Sequence, residues 1–233
     1  MKVYRQIPPC DPALIEAAGR FSVADLHESM DSVSGRQALF DNGIRPLNIG
    51  QRIAGQAVTV YTFPGDGLLG HKAVSLLQPG NILVGANGGS GPQTMFAELV
   101  SLAATQRGAA GVVVDGCVRD SEALRRSQFP VWSTGYHVGR TGKVGPGAVN
   151  IPIICGGVRV EPGDVIVADE DGVICLTPSD LPAILERAQV RAERETKVRA
   201  AIAGGQTLFD LLGLQAAVDA AGIEEIDGTW RSG

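Results

Sequence analysis

Several absences narrow the class of this 233-residue protein. No apolar run approaches the roughly 20 residues of a membrane-spanning helix, and the amino-terminal segment lacks the apolar stretch of a secretory signal. The net charge is −5 without a basic block, so we expect neither a nucleic acid nor a membrane as partner. The four cysteines are dispersed and form no C-x-x-C pair, which excludes a disulfide scaffold and favours reduced thiols in a cytoplasm.

Glycine, by contrast, is abundant. The chain contains 31 glycines, against a typical share of roughly 7% of residues. They recur singly or in pairs between apolar runs and form no low-complexity tract, so collagen-like and coiled-coil classes are excluded. A glycine-punctuated α/β protein remains.

Hydrophobic periodicity predicts most of the elements. Residues 11–40 are expected to be helical in two pieces, with Ser22 capping the second piece and Asp25 in its first turn. Arg52–Phe63 alternates and is rich in β-branched residues, which is typical of a strand. The other predicted strands are Ile82–Gly85, Gly111–Asp115, Val131–Ser133, Ile151–Cys155, Val158–Val160, Val165–Ala168 and Val173–Leu176. The other predicted helices are Leu68–Leu77, Thr94–Arg107, Ser121–Ser127 and Ser179–Ala203.

The order of these elements predicts the architecture. Strands alternate with helices in the middle of the chain and are followed by short strands with glycine turns, which favours a mixed sheet or a β/β/α sandwich with helices outside. We place a single α/β domain at residues 1–178 and a C-terminal helical arm at residues 179–233.

The segment from Asn81 to Asp120 carries the strongest indication of a functional site. It contains a strand, a glycine loop, a helix and a second strand, so the carboxyl ends of both strands lie at one edge of the sheet. From Glu98 the helix descends about 14 Å and the next strand returns about 16 Å, which brings Asp120 back beside Glu98. Ligands of open α/β sheets bind at this edge.

The residue types at this edge indicate the chemistry. Two carboxylates and the Arg119 guanidinium, beside the free N–H groups at a helix start, suit a divalent cation together with a small carboxylate ligand. By geometry alone, the same residues also fit a helix cap and a surface ion pair.

Longer stretches resemble a known family. They are GDGLLGHKA, GNILVGANGG, AELVSLAATQRGAAGVVVDGCVRD, FPVWSTG and NIPIICGGVRVEPGDVIVADEDGVI. The family joins class II 4-hydroxy-4-methyl-2-oxoglutarate/4-carboxy-4-hydroxy-2-oxoadipate aldolases with RraA-type regulators of ribonuclease E. The resemblance extends from about Asp25 to Glu195, and the family's motif appears as Glu98-x20-Arg119-Asp120. It implies a single-domain β/β/α (α-β-β-α) sandwich of the RraA-like type, whose catalytic domain is the α/β domain at residues 1–178.

The resemblance implies a role for each motif residue. Asp120 would be the direct protein ligand of Mg²⁺ or Mn²⁺, and Glu98, where many aldolases have Asp, would hold the metal through water. Arg119 would bind the 2-oxo acid and stabilise its enolate. The backbone N–H groups of Leu99 and Val100 would hold the substrate carboxylate.

The resemblance also implies a homo-oligomer, a trimer or hexamer, in which the C-terminal arm packs on a neighbouring subunit. Glu195 of that arm is expected to reach the neighbour's metal through water. Glu193, two residues away, is the alternative for this position.

These roles predict a metal-dependent aldolase. It would cleave 4-hydroxy-2-oxo acids to pyruvate and an oxo acid and would decarboxylate oxaloacetate, because both reactions generate a pyruvate enolate that the metal and Arg119 stabilise. No lysine lies in the candidate loop, which disfavours a Schiff-base aldolase. The alternative is a non-catalytic RraA-type regulator that binds a ribonuclease. The Arg119–Asp120 pair favours the enzyme.

Other signals are weaker. Gly65–Gly70 matches G-x-G-x-x-G, but no acidic residue follows Asp66 before Glu98, so a dinucleotide site is not expected. Asp66 and His71 are expected at the rim of the site, either to contact substrate or to cap the following helix. Gly88 is expected to make room for substrate.

Overall fold

The computed structural model describes residues 1–31, 35, 37–89, 91 and 93–231. Its helices are α1 (Pro12–Gly19), α2 (Val23–Glu28), α3 (Leu68–Val74), α4 (Glu98–Gln106), α5 (Ser121–Ser127), α6 (Leu181–Ala203), α7 (Leu208–Leu211) and α8 (Gln215–Ala220). Its strands are β1 (Lys2–Val3), β2 (Arg45–Pro46), β3 (Ile53–Thr62), β4 (Ile82–Ala86), β5 (Thr94–Phe96), β6 (Gly111–Val118), β7 (Val131–Tyr136), β8 (Gly147–Val149), β9 (Ile153–Cys155), β10 (Val158–Val160), β11 (Val165–Ala168) and β12 (Val173–Leu176).

Four parallel strands, in the order β3, β4, β6 and β7, form the centre of a ten-stranded sheet. The other edge of β3 pairs antiparallel with β8 and β11, and β11 pairs with β12. Strands β9 and β10 form a separate antiparallel pair. The carboxyl ends of β3, β4 and β6 therefore lie at one edge, as the sequence predicts.

Side chains of the central strands alternate between two faces. Val112 and Val114 of β6 pack with Leu69 of α3 and Leu124 of α5, so helices cover this face. Val113 faces the opposite side, in a cluster with residues of β9, β10, β11 and β12. A third cluster joins the other side of β11 and β12 to α1, α2 and the start of α6. The layers are those of the predicted α-β-β-α sandwich.

The described residues divide into two compact units, Met1–Ala188 and Gln189–Gly233. In the first unit, Leu181 and Ile184 of α6 are buried. In the second unit, none of the described residues is buried. Across the part of the chain that the structure describes, no helix has both the length and the apolar character needed to cross a bilayer.

Two predicted helices need correction. Thr94–Phe96 is a strand, because Thr94 pairs with Cys117 of β6, and helix α4 begins only at Glu98. The helical region expected at residues 11–40 contains the short helices α1 and α2, and residues 32–34 and 36 lie outside the described residues. The predicted Ser22 cap of α2 is confirmed, since Ser22 and Asp25 form a reciprocal capping box.

Candidate active site

Arg119 and Asp120 directly follow β6, at the carboxyl edge of the parallel strands. The backbone N–H of Arg119 donates to the carbonyl oxygen of Phe96 at 3.1 Å. Phe96 lies two residues before Glu98, the first residue of α4. The backbone of Arg119 therefore lies next to the segment that leads into α4, with β5 making the connection, and the approach of Asp120 to Glu98 stays a prediction.

Asp120 has an unusual backbone conformation for a residue other than glycine. Its φ of 57° and ψ of 38° are left-handed, which costs on the order of 1–2 kcal/mol and persists where the surroundings fix the conformation. Asp120 occupies the N-cap of α5, but its side chain makes no capping hydrogen bond. Its Oδ2 lies 3.7 Å from Arg119 Nε, beyond hydrogen-bond distance. The alternative of a helix cap and an ion pair is thus met in position only, since Asp120 is the N-cap residue without a side-chain capping bond and its pair with Arg119 is a long one.

A cavity of about 210 Å³ lies in front of α4. Of the predicted site residues, it is lined by His71, Leu99, Val100, Arg119 and Asp120. Four further polar residues that the sequence analysis did not single out for the site also line it: Thr94, Arg140, Thr141 and Lys143. Glu98 is exposed beside the cavity, at the start of α4, and is not among the lining residues described.

The amino end of α4 lacks a side-chain cap. Its N-cap residue is Ala97, which makes no side-chain hydrogen bond. The N–H of Val100 donates to the carbonyl oxygen of Ala97 at 3.1 Å, so binding of a substrate carboxylate by Val100 would require this bond to be shared. The uncapped helix start, with Ala97 and Leu99 lining the cavity, favours an anion there.

The charges that line the cavity are mostly positive. In the described part of the chain, the lining contains the cations Arg119, Arg140 and Lys143 and one carboxylate, that of Asp120. Burial, and secondarily the Lys143 ammonium, lowers the pKa of His71, so the imidazole is neutral at pH 7. Among the described residues, no acceptor lies within hydrogen-bond distance of the buried Nε of Arg119. The arrangement suits an anionic ligand.

Asp66 is buried and holds a neighbouring loop in place. Its Oδ2 accepts the backbone N–H groups of Val144 at 2.7 Å and Gly145 at 2.8 Å, and its Oδ1 accepts that of Leu68 at 2.8 Å. Burial raises the pKa of this carboxyl, but the three N–H donors outweigh burial and leave the pKa below its ordinary value. Of the two roles expected for Asp66, the structure contains a bond to the helix start, since Asp66 accepts the first N–H of α3 while Gly67 occupies the N-cap position. Asp66 is not among the residues described as lining the cavity.

The glycines of this region have different roles. Gly88 has a left-handed φ of 73°, and a β-carbon there would lie 3.2 Å from the hydroxyl of Tyr61. Gly116 lies inside β6. A β-carbon on Gly116 would come within 2.5 Å of the sulfur of Met95, so this glycine makes room for a side chain.

Glu195 and Glu193 lie on α6, within the second unit. Glu195 pairs with Arg191 at 3.0 Å and with Arg199 at 2.8 Å. Glu193 accepts a hydrogen bond from Gln189 at 2.8 Å. Pairs at this spacing stabilise a helix without any further function. The role expected for either residue at a neighbouring subunit stays a prediction.

The donor set near Asp120 can be compared with the needs of a divalent cation. Within the described residues, no three His, Cys, Asp or Glu side chains form a metal-binding group. A cation held by one carboxylate, substrate and several waters needs no such group, and Mg²⁺ binds in this way. The Asp120 carboxylate, which caps no helix and lines the cavity, fits that requirement.

Arg140 and Lys143 are the site residues that sequence reasoning missed. They lie on the loop that follows β7, whose carboxyl end shares an edge with that of β6. The segment RTGKVGPG is rich in glycine and carries two cations. The rule that placed Arg119 at the sheet edge, applied to β7, would have identified this segment.

The fold and the cavity define an α/β protein with a cavity, lined mostly by positive charges, at the carboxyl edge of its parallel strands. A family model described as RraA-like, Aldolase/RraA, matches residues 23–175. An uncharacterised protein of Methanocaldococcus jannaschii is 36% identical over 176 residues, which are 75% of this chain and 85% of that protein. A protein of Halalkalibacterium halodurans named "Putative 4-hydroxy-4-methyl-2-oxoglutarate aldolase" is 36% identical over 158 residues, which are 67% of this chain and 75% of that protein.

The chain belongs to the Aldolase/RraA family. Among solved structures, it is similar to Streptomyces coelicolor RraAS2, described as an unusual member of the RNase ES inhibitor RraA protein family. The TM-score is 0.75 and the identity 28%, over 83% of this chain and 98% of that chain. The predicted family and fold are confirmed. Because relatives bear the names of both aldolases and ribonuclease inhibitors, the choice between these functions depends on the site.

Proposed function

We propose that this protein is a metal-dependent aldolase that cleaves 4-hydroxy-2-oxo acids to pyruvate and a second oxo acid, and that it also decarboxylates oxaloacetate. The observation that carries the proposal is the placement of Arg119 and Asp120 in one cavity with the uncapped start of α4. A protein that acts only by binding a ribonuclease does not need this combination of residues.

The residues of the chain divide the work between binding and charge stabilisation. The start of α4 and Arg119 bind the carboxylate and the 2-oxo group of the substrate, because both present N–H donors to the cavity. As the carbon–carbon bond breaks, negative charge accumulates on the 2-oxo oxygen. The fixed positive charge of Arg119 stabilises that oxygen more strongly in the transition state than in the substrate.

The proposal includes Mg²⁺ or Mn²⁺, with Asp120 as the direct ligand and Glu98 acting through water. When bound, the cation supplies a Lewis acid that polarises the 2-oxo group. We further propose a homo-oligomer, a trimer or hexamer, in which Glu195 of a neighbouring subunit completes the outer shell of the site.

The test is pyruvate release from 4-hydroxy-4-methyl-2-oxoglutarate and from oxaloacetate, with and without added Mg²⁺ or Mn²⁺. We expect metal-dependent release by the wild type and near-complete loss in Asp120→Ala and Arg119→Ala. Arg159→Ala is the matched control. Arg159 lies on β10, remote in sequence from the motif, and forms an exposed ion pair with Glu161. Absence of release by the wild type with either metal would overturn the assignment.

A regulator of a ribonuclease is the second candidate, because the similar Streptomyces protein belongs to an inhibitor family by its description. Its test is inhibition of a purified ribonuclease of the RNase E type. Inhibition that survives Asp120→Ala, in a protein that releases no pyruvate, would support the regulator over the aldolase.

A further inference from the structure

Residues 137–146, which we call the strap, form one wall of the cavity. At its start, the N–H of His137 donates to the carbonyl oxygen of Val118 at 3.0 Å, and the hydroxyl of Thr94 donates to the carbonyl oxygen of His137. At its end, the N–H of Phe63 donates to the carbonyl oxygen of Pro146 at 3.0 Å. Both ends of the strap are therefore fixed to strands of the central sheet or their immediate continuations.

The middle of the strap is held just as closely. Gly142 exchanges two backbone hydrogen bonds, donating to Gly65 at 2.7 Å and accepting from Gly67 at 2.9 Å. The buried Asp66 carboxylate accepts two further N–H groups of the strap. A β-carbon on Gly145 would lie 2.8 Å from that of Asp66, so the two segments are in close contact. The backbone of the strap is thus a fixed wall from which its side chains extend.

Two strap cations line the cavity and have no other assigned partner. Among the described residues, neither Arg140 nor Lys143 has a carboxylate within ion-pair distance. Arg119 serves the 2-oxo end of the substrate in the proposed function. Among the described residues, Asp120 supplies the only carboxylate that lines the cavity, and the proposed function assigns that carboxylate to a divalent cation. Arg140 and Lys143 therefore remain available for a second negative group.

We propose that Arg140 and Lys143 bind the distal carboxylate of a dicarboxylic 2-oxo acid, and that they make the protein select diacids over monoacids of the same length. Asp66 is a positioning residue, which holds the strap and with it both cations. The inference rests on the proposed function for the substrate class, but it concerns binding and can be tested without turnover.

The experiment measures binding of two unreactive ligands of equal chain length by calorimetry with Mg²⁺ present. They are 2-oxoglutarate, a diacid without a 4-hydroxyl group, and 2-oxopentanoate, a monoacid. We expect the wild type to bind the diacid at least about tenfold more tightly, since one charge-assisted hydrogen bond is enough for that ratio. Arg140→Met and Lys143→Met should each reduce the preference, and the double variant should abolish it without weakening monoacid binding.

Lys72→Met is the matched control, because Lys72 is an exposed lysine on α3, next to His71, that does not line the cavity. It should keep the full preference for the diacid. Asp66→Asn should lower the preference while leaving monoacid affinity within about twofold, a split that general unfolding would not produce.

The outcomes separate this inference from the proposed function. A wild type that prefers the diacid but releases no pyruvate supports the strap inference and contradicts the aldolase assignment. A wild type that releases pyruvate and binds both ligands equally overturns the strap inference alone. An equal loss of affinity for both ligands in Arg140→Met and Lys143→Met also overturns the strap inference, since the two cations would then not distinguish a distal carboxylate.

Discussion

The backbone N–H of Val144 donates to Oδ2 of Asp66 across 2.7 Å, although 78 positions separate the two residues in the chain. This bond joins the turn before α3 to the strap and places a buried carboxylate beneath one wall of the cavity. Asp66, which the sequence predicts as a substrate contact or a helix cap, also holds the strap, the loop that carries Arg140 and Lys143.

The Asp66 carboxylate should make stability depend on pH. Its pKa is lowered in the folded protein, so its contribution is present above the unfolded value of about 3.9 and is lost as pH falls through the folded pKa. We expect Asp66→Asn to lower the free energy of unfolding by about 1–3 kcal/mol at pH 7, and by less below about pH 4. Urea titrations of the wild type and the variant at pH 7 and at pH 3 measure this difference in the free energy of unfolding.

Glu186→Gln supplies the control for that comparison, because Glu186 is an exposed acid on α6 whose replacement removes one carboxylate without any buried contact. It should leave unfolding unchanged at pH 7. A penalty for Asp66→Asn that stays constant down to pH 3 would contradict the role given to the ionised carboxylate.

Gly116→Ala should destabilise the protein through packing. The added methyl group would overlap the side chain of Met95, and overpacking of this kind costs about 1–3 kcal/mol. Combining it with Met95→Ala should cost less than the sum of the two single changes, as expected for residues in contact. Gly43→Ala is the control, since no atom lies within 4 Å of its added β-carbon. Additive effects of Gly116→Ala and Met95→Ala would argue against the contact.

Glu195 and Glu193 can be distinguished by a matched pair of substitutions. Glu195→Gln removes charge from two helix pairs, each worth about 0.2–0.5 kcal/mol, whereas Glu193→Gln alters one hydrogen bond. We expect only Glu195→Gln to lower turnover and Mg²⁺ affinity, with little change in thermal stability. A loss of turnover and Mg²⁺ affinity in Glu193→Gln alone would assign the role to Glu193. No loss in either variant would exclude the C-terminal arm from the site.

The left-handed backbone of Asp120 predicts a conflict between stability and activity. Both Asp120→Gly and Asp120→Ala should abolish metal-dependent pyruvate release. Asp120→Gly should be more stable than Asp120→Ala by about 1 kcal/mol, because only glycine adopts this conformation without strain. Thermal unfolding measures the difference. Gln128→Gly, at another left-handed position, should retain full activity, and equal stability of the two Asp120 variants would exclude backbone strain.

The sequence predicts those parts of the molecule that depend on local pattern and short spacing. The apolar runs of β4 and β6 and the helix between them predict that the chain returns at Arg119 to the level of the helix start. The lengths of the helix and of β6 are enough for this prediction. The Ser22 cap follows from the side chains of two residues three positions apart. In these cases nearly all of the necessary information lies within about forty residues.

The remainder depends on contacts between distant segments. Thr94–Phe96 becomes a strand because β6 offers it a parallel edge, which the helix-like sequence after it obscured. Arg140 and Lys143 enter the site because Asp66 holds their loop, and no periodicity reveals such a tie. Glycine is needed at position 116 because the side chain of Met95 occupies the space of a β-carbon. The backbone conformation of Gly116 itself does not require glycine.

The ties of the strap also determine when the cavity forms during folding. Asp66 reaches Gly145 across 79 positions, and contacts of this separation carry a loop-closure cost that delays them relative to helices and adjacent strands. We therefore expect Arg140 and Lys143 to remain on an open loop after the helices and the neighbouring strands β4 and β6 have formed. The appearance of anion affinity during refolding would time the closure of the strap, independently of any signal from secondary structure.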